Sequence, residues 1–500
     1  MEAKLKELKE RLRETNDLFA AGAVLSWDQS TYMPPAGAEA RGRQIATLAR
    51  IAHETITDDK TGQLLDDLRP YEESLPYDSD DASLIRLARR YYEKLVNIPS
   101  DFVSKLNSHS AVTYSAWTKA RPANDFAAVA PLLEKTLELS REFSSFFKAE
   151  HVMDPLIGFS DYGMTVATIN PLFADLRNQL TPLVETITAQ TPPEDGFLKA
   201  HYPEDKQEAI GLDAIRQYGF DFERGRQDRT HHPFMTKFSL SDVRITTRFN
   251  ENDLSDALFS TMHEAGHAMY ELGIDRKFEA TPLAEGTSSG VHESQSRLWE
   301  NIVGRSRDFW TYFYPQLQEA FPSQLGDVSL DKFYRAINKV QRSLIRTDAD
   351  EVTYNLHVII RYDLERELLE GRLAVRDLPE AWRARYTSDL GVTPPNDRDG
   401  VLQDVHWFGG TIGGSFQGYT LGNVMSAQFF DAALRAHPNI PVQIRQGDFA
   451  TLHNWLKENI YRHGSKFTPE ELIARTTGGA LSNEPYMRYL RQKYGELYEL

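Results

Sequence analysis

Apolar residues recur at three- and four-residue spacing along almost the whole chain, and this period restricts it to a helical body. Leu5, Leu8 and Leu12 mark the first such stripe, within charged sequence. Comparable patterns fill about 82–97, 126–150, 169–191, 297–320 and 331–370. Proline and glycine punctuate them at Pro34-Pro35, Pro192-Pro193-Glu194-Asp195-Gly196 and Pro394-Pro395-Asn396-Asp397. One segment departs from the period. Between Lys237 and Phe249 the residues Val243, Ile245 and Thr247 alternate, which predicts a strand or hairpin. No repeat, low-complexity tract or flexible linker divides the chain. The expectation is an all-α fold with one small sheet, forming a single domain over residues 1–500.

Cysteine is absent, which excludes disulfides, thiolate nucleophiles and cysteine-held metals together. Any metal must be held by His, Asp or Glu. The formal net charge is −17 and no basic stretch stands out, so neither nucleic acid nor an anionic membrane is expected as a partner. Hydrophobic residues at 41% and charged residues at 26% suit a soluble globular protein. No apolar run approaches the roughly eighteen residues of a membrane span. The start, Met1-Glu2-Ala3-Lys4, is charged where a secretory signal would be apolar. A cytoplasmic protein is expected.

His263-Glu264-Ala265-Gly266-His267 sets two imidazoles at i and i+4 around a carboxylate. On a helix the imidazoles share one face, one turn apart. They can then bind one zinc ion, with Glu264 in reach of the water that the ion activates. The surroundings read as helix. Leu258, Met262, Ala265, Met269 and Leu272 form a stripe, Asp253 or Ser255 offers an N-cap, and Gly273 is placed as a C′ residue. Glycine at 266 costs a helix about 1 kcal/mol relative to alanine, which signals a packing reason. A third protein ligand is needed. His292-Glu293-Ser294-Gln295 opens a second helical pattern, after a loop holding Pro282 and Gly286. From spacing alone, His292 and Glu293 are both open as that ligand. The chemistry predicted is peptide hydrolysis, with Glu264 taking a proton from water and delivering it to the leaving amine.

Further motifs accompany this one in a fixed order. Leu25-Ser26-Trp27-Asp28-Gln29, Tyr32-Met33-Pro34-Pro35 and Gly37-Ala38-Glu39-Ala40-Arg41 come first. His232-Pro233-Phe234 and Asp242-Val243-Arg244-Ile245-Thr246 precede the metal motif. After His292-Glu293-Ser294-Gln295 follow Ile345-Arg346-Thr347-Asp348-Ala349-Asp350 and Gly400-Val401-Leu402-Gln403-Asp404-Val405-His406-Trp407. Together they resemble the carboxypeptidase Taq family of zinc metallocarboxypeptidases over nearly the whole length. The resemblance implies a helical fold with a deep groove and a small sheet beside the zinc, similar to angiotensin-converting enzyme and neurolysin. It implies His263, His267 and Glu293 as metal ligands, Zn2+ as the metal with Co2+ able to substitute, and a homodimer. It also implies release of single residues from peptides with a free C-terminus, with broad specificity and poor action on C-terminal Pro.

A carboxypeptidase must read a terminal carboxylate, and arginine does so bidentately. Arg346 is the first candidate, set against a structural ion pair with Asp348 or Asp350. Arg244 is the second, set against a local pair with Asp242. His406, oriented by Asp404, and Tyr419 are candidate donors to the oxyanion. His232, in extended chain before Pro233, is placed at the groove edge, and Gln403 is a candidate for substrate backbone. Trp27 and Asp28 are expected to fix an N-terminal helical lid, about 1–100, against the body. The alternatives are a dipeptidyl-carboxypeptidase or oligopeptidase on the same scaffold, and a non-catalytic peptide-binding protein.

Overall fold

The stripe of Leu5, Leu8 and Leu12 is buried along one side of the first helix. A computed structural model describes all residues 1–500, and helices run through it from end to end. Helices α1 (Glu2–Thr31), α2 (Ala38–Thr57), α3 (Asp59–Ser74) and α4 (Asp80–Val96) share a small apolar cluster. Leu240, Ile274, Phe278 and Leu283 of the body join that cluster, so the N-terminal helices are seated on it. Polar ties add to the seat. The Tyr32 hydroxyl donates to Asp228 at 2.7 Å, and the Lys94 ammonium donates to the Gly158 carbonyl at 2.7 Å. A second, far larger core occupies the rest of the chain.

The expected hairpin is present as β2 (Met235–Ser239) and β3 (Asp242–Thr247). A third strand, β1 (Gly225–Arg229), pairs parallel to β3 on its other side, giving the order β1-β3-β2. The sequence Gly-Arg-Gln-Asp-Arg carries almost no β-propensity, so β1 exists because β3 offers it a ladder. Val243 and Ile245 are wholly buried, and β3 lies against the motif helix Leu254–Gly273. The sheet therefore borders the metal motif.

Two helical readings need correction. The pattern at 297–320 is broken by a π-turn, Leu298–Val303, where Gly304 N–H donates five residues back to the Trp299 carbonyl at 2.9 Å. The pattern at 331–370 is two helices, Leu330–Ile337 and Tyr354–Leu369, with irregular chain between them. Asp350 is the cause. Its carboxylate accepts from the backbone N–H groups of Gln341, Val352 and Thr353 and from the Thr353 hydroxyl, at 2.8–3.1 Å. Such side-chain bonds compete directly with helical ones.

Glycine lets three helices meet. A Cβ on Gly266 would lie 2.6 Å from the Gln295 carbonyl oxygen, and one on Gly422 would lie 2.5 Å from Glu293 Cγ. The helix Ser289–Arg297 is thus pressed between the motif helix and the helix Gln417–Ala436. Gly273 is helical and not a C′ residue. Its missing Cβ makes room for the Tyr461 ring.

Candidate active site

The motif helix starts at Asp253, whose side chain accepts from Ser255 N–H at 3.0 Å. Leu258, Met262, Ala265, Met269 and Leu272 bury its apolar stripe, which turns His263 and His267 together toward the next helix. Glu293 meets them there. Its Oε2 lies 3.7 Å from His263 Nε2 and 3.4 Å from His267 Nε2. One donor atom from each of the three residues falls within 4.8 Å of the others. A tetrahedral ion with bonds of about 2.0–2.1 Å spaces its ligands about 3.3 Å apart. Both Glu293 distances lie near that spacing, so the donor set suits such an ion. His292, the alternative from spacing, is not in that set. Its Nδ1 lies 2.6 Å from His267 Nδ1, on the far side of the ring.

The remaining atoms of the three residues are held from behind. His263 Nδ1 is 2.9 Å from Glu300 Oε2. Arg297 donates to Glu293 Oε1 at 2.7 Å and to Glu300 Oε2 at 3.2 Å. Burial would raise Glu293, but Arg297 and the two histidines outweigh it and keep the carboxylate ionised far below its ordinary range. Burial takes His267 down to about 4, so its ring is neutral at neutral pH, as a ligand must be. Glu264 is 7% exposed. Its burial raises it to about 7, with Glu293 and Glu300 adding and His263 opposing. A carboxyl titrating there suits proton transfer in both directions.

A second constellation centres on Asp404. Its two oxygens accept from Arg346 Nε and Nη2, and Oδ2 also accepts from Arg361 Nε at 2.9 Å. His406 Nδ1 lies 2.8 Å from Asp404, and its Nε2 lies 3.2 Å from the Tyr419 hydroxyl. Arg346 is therefore paired with Asp404, and not with Asp348 or Asp350. Its Nη1 donates to the Tyr354 hydroxyl at 3.0 Å, and its guanidinium sits 5.1 Å over the Tyr419 ring. Burial raises the Tyr419 phenol well above its ordinary range, with Tyr354 and Glu293 adding and Arg346 opposing. It keeps its proton. His232 is exposed, and it feels the charges of Arg248, Arg346 and His406.

Two expected substrate contacts are placed differently. Gln403 spends its whole amide inside the protein. Its oxygen accepts from Arg346 N–H and Arg361, and its NH2 donates to the Leu344 and Asp399 carbonyls. It has nothing left to offer a peptide. Arg244 forms the local pair with Asp242, at 2.8 and 2.9 Å. It also lies 4.4 Å from the Trp27 ring and 4.9 Å from that of Phe238, which makes it part of the seat of α1 on the sheet. Asp28 instead pairs with Arg41 at 2.7 Å, tying α1 to α2.

A model of the carboxypeptidase Taq (M32) metallopeptidase family matches residues 7–494. The chain belongs to the M32 family. Thermostable carboxypeptidase 1 of Thermus thermophilus is 40% identical over 99% of each chain. Carboxypeptidase 1 of Bacillus subtilis is 37% identical, again over 99% of each. The crystal structure of an M32 carboxypeptidase from Deinococcus radiodurans R1 superposes with a TM-score of 0.97 at 51% identity, covering 100% of both chains. The protein is thus an M32 metallocarboxypeptidase, a hydrolase of peptide bonds that works with a divalent metal.

Several residues of this M32 site escaped the sequence reading. Arg297 and Glu300 follow Glu293 at four and seven residues, on one face of a helical pattern, and that spacing was a usable signal. Arg361 and Tyr354 gave none. Both lie on a helix buried on nearly every side, where no periodicity marks a face.

Proposed function

We propose that this M32 enzyme removes single amino acids from peptide C-termini, with zinc held by His263, His267 and Glu293. The observation that carries the metal assignment is the triangle of Nε2, Nε2 and Oε2 atoms beside a buried Glu264. When bound, a divalent ion supplies Lewis acidity, polarising the scissile carbonyl and acidifying water. Cobalt is expected to substitute. Glu264 accepts the proton of the attacking water and hands it to the leaving amine.

Arg346 reads the terminal carboxylate. Asp404 occupies its Nε–Nη2 edge, so the end-on Nη1–Nη2 edge is the one offered, with Tyr354 yielding its place. Two guanidiniums face one carboxylate in this constellation, which leaves a positive charge to attract an anionic chain end. Tyr419 donates to the oxyanion, with His406 behind it, and His232 lines the edge of the groove. Arg244 acts through the lid, α1–α4, and we read the whole chain as one catalytic unit. Broad specificity with poor action on C-terminal Pro, a homodimeric state and a cytoplasmic location are part of the same reading. No helix is long and apolar enough to cross a membrane.

Digestion of a defined peptide tests the reading. A ladder of single amino acids is the expected product. Released dipeptides would favour the dipeptidyl-carboxypeptidase alternative, and no chelator-sensitive hydrolysis at all would favour a peptide-binding role.

A further inference from the structure

Behind His267 the chain builds a line of polar groups that the proposed reaction does not use. His292 Nδ1 lies 2.6 Å from His267 Nδ1, and His292 Nε2 lies 2.8 Å from Glu271 Oε1. Glu271 Oε2 accepts from Lys237 Nζ at 2.8 Å, and its Oε1 also accepts from Gly286 N–H at 3.2 Å. Lys237 in turn reaches Glu285 at 2.9 Å. The two imidazole rings sit 4.8 Å apart. A Cβ on Gly286 would come within 2.6 Å of the His292 ring, so glycine there gives the ring its place.

Proton counting assigns the line. Glu271 is buried against Lys237 and acts as an acceptor only. Its neighbour His292 must therefore carry a proton on Nε2. In the neutral ring Nδ1 is then bare and can only accept. Two nitrogens 2.6 Å apart share one proton, and it must come from His267 Nδ1. His267, neutral in its turn, is left with a bare Nε2, the atom that faces Glu293. The other metal imidazole is treated differently, since His263 Nδ1–H donates straight to the Glu300 carboxylate.

We propose that His292 is a positioning residue that, anchored by Glu271, fixes the orientation and tautomer of His267 for metal binding. The proposal rests on the metal site described above. Adjacent residues on one helix then serve the same ion, Glu293 directly and His292 at one remove. Partners of this kind typically set metal affinity by 10–100-fold.

The test compares His292→Phe, which keeps a ring without an acceptor, with His292→Asn, whose amide oxygen falls near the Nδ1 position. The readouts are zinc affinity by competition with a chromophoric chelator, and the visible spectrum of the cobalt-loaded protein. We expect His292→Phe to weaken zinc 10–100-fold and shift the cobalt bands, and His292→Asn to recover part of both. Where His292→Phe does not fold, His292→Ala takes its place with the same expectation. Zinc affinity in His292→Phe or His292→Ala within twofold of wild type would overturn the proposal, as would an asparagine variant no better than either. Failure of the underlying site looks different: wild type would then bind no stoichiometric zinc, and His267→Ala would change nothing.

Discussion

Asp404 grips Arg346 along one edge of its guanidinium, accepting from Nε at 2.7 Å and from Nη2 at 3.1 Å. Arg346 is only 6% exposed, so its remaining donors are already aimed and little entropy is lost when a substrate arrives. Removing one partner of a buried charge pair costs roughly 2–5 kcal/mol. Arg346→Ala should therefore lower kcat/KM on peptides with a free C-terminus by about 10²-fold or more. Amidated peptides should be affected far less. Equal losses on the two substrates, measured side by side, would make Arg346 a structural ion pair.

Glu264→Gln keeps size and polarity but cannot take a proton. The variant should hold its metal and lose roughly 10²–10⁴-fold in kcat, the usual worth of a general base. Metal analysis beside steady-state kinetics checks both halves. Undiminished turnover in a metal-replete variant would remove Glu264 from its role.

Chelation should abolish hydrolysis and also lower Tm, because the ion binds the folded donor set and not the unfolded chain. Metal present at about a hundredfold over its Kd adds about 2.7 kcal/mol to stability. Zinc or cobalt returned to the stripped protein should restore activity and Tm together. Recovery of one without the other would separate the stabilising site from the catalytic one.

Gly266→Ala sets two effects against each other. Alanine gains up to about 1 kcal/mol of helix propensity. Its Cβ, however, would meet the Gln295 carbonyl oxygen and Ser296 Cα at 2.6 Å. These are backbone atoms and cannot swing aside, and overpacking costs about 1–3 kcal/mol. The clash should win. Calorimetry should show a lower Tm, and competition titration a weaker metal, since Glu293 is on the helix that is pushed.

Acid should destabilise the fold through histidines remote from the metal. Burial, with Lys457 adding, holds His453 down to about 4, and burial with nearby arginines and Lys466 does the same for His463. Both titrate near 6.5 when unfolded. The unfolded chain thus binds more protons between pH 6.5 and 4, and stability falls as pH drops through that window. Each group contributes at most about 1.4 kcal/mol per pH unit. His453→Gln should flatten the Tm profile between pH 7 and 5. An unchanged slope would mean that His453 is solvated in the folded protein.

The metal motif was legible because its parts are local: one helical turn, one stripe and one N-cap. The following helix offered both His292 and Glu293, and the family resemblance, not the spacing, chose Glu293. The anchor of Arg346 was not legible, since Asp404 is 58 residues away and the segment between Ile337 and Tyr354 is irregular. Its periodic apolar residues suggested helix, and the side-chain bonds of Asp350 override that suggestion locally. Strand β1 was hidden for a related reason, because its stability lies in its partner and not in its own residues. Gln403 misled in the opposite sense: an amide inside a motif looked free to bind, and tertiary contacts consume it.

The π-turn at Leu298–Val303 sets the phase between Glu293 and the residues that follow the turn, among them Arg305, which donates to Glu300 at 3.3 Å. Deleting one residue there would let the stretch relax to ordinary α geometry and rotate everything beyond it by about 100°. Arg305 would then swing out of reach of Glu300, the carboxylate behind His263, although no side chain at the metal had been altered. The support of Glu300 is thus written in chain length, and homologues that gain or lose a residue in this turn should be read as backing His263 differently even where every motif letter agrees.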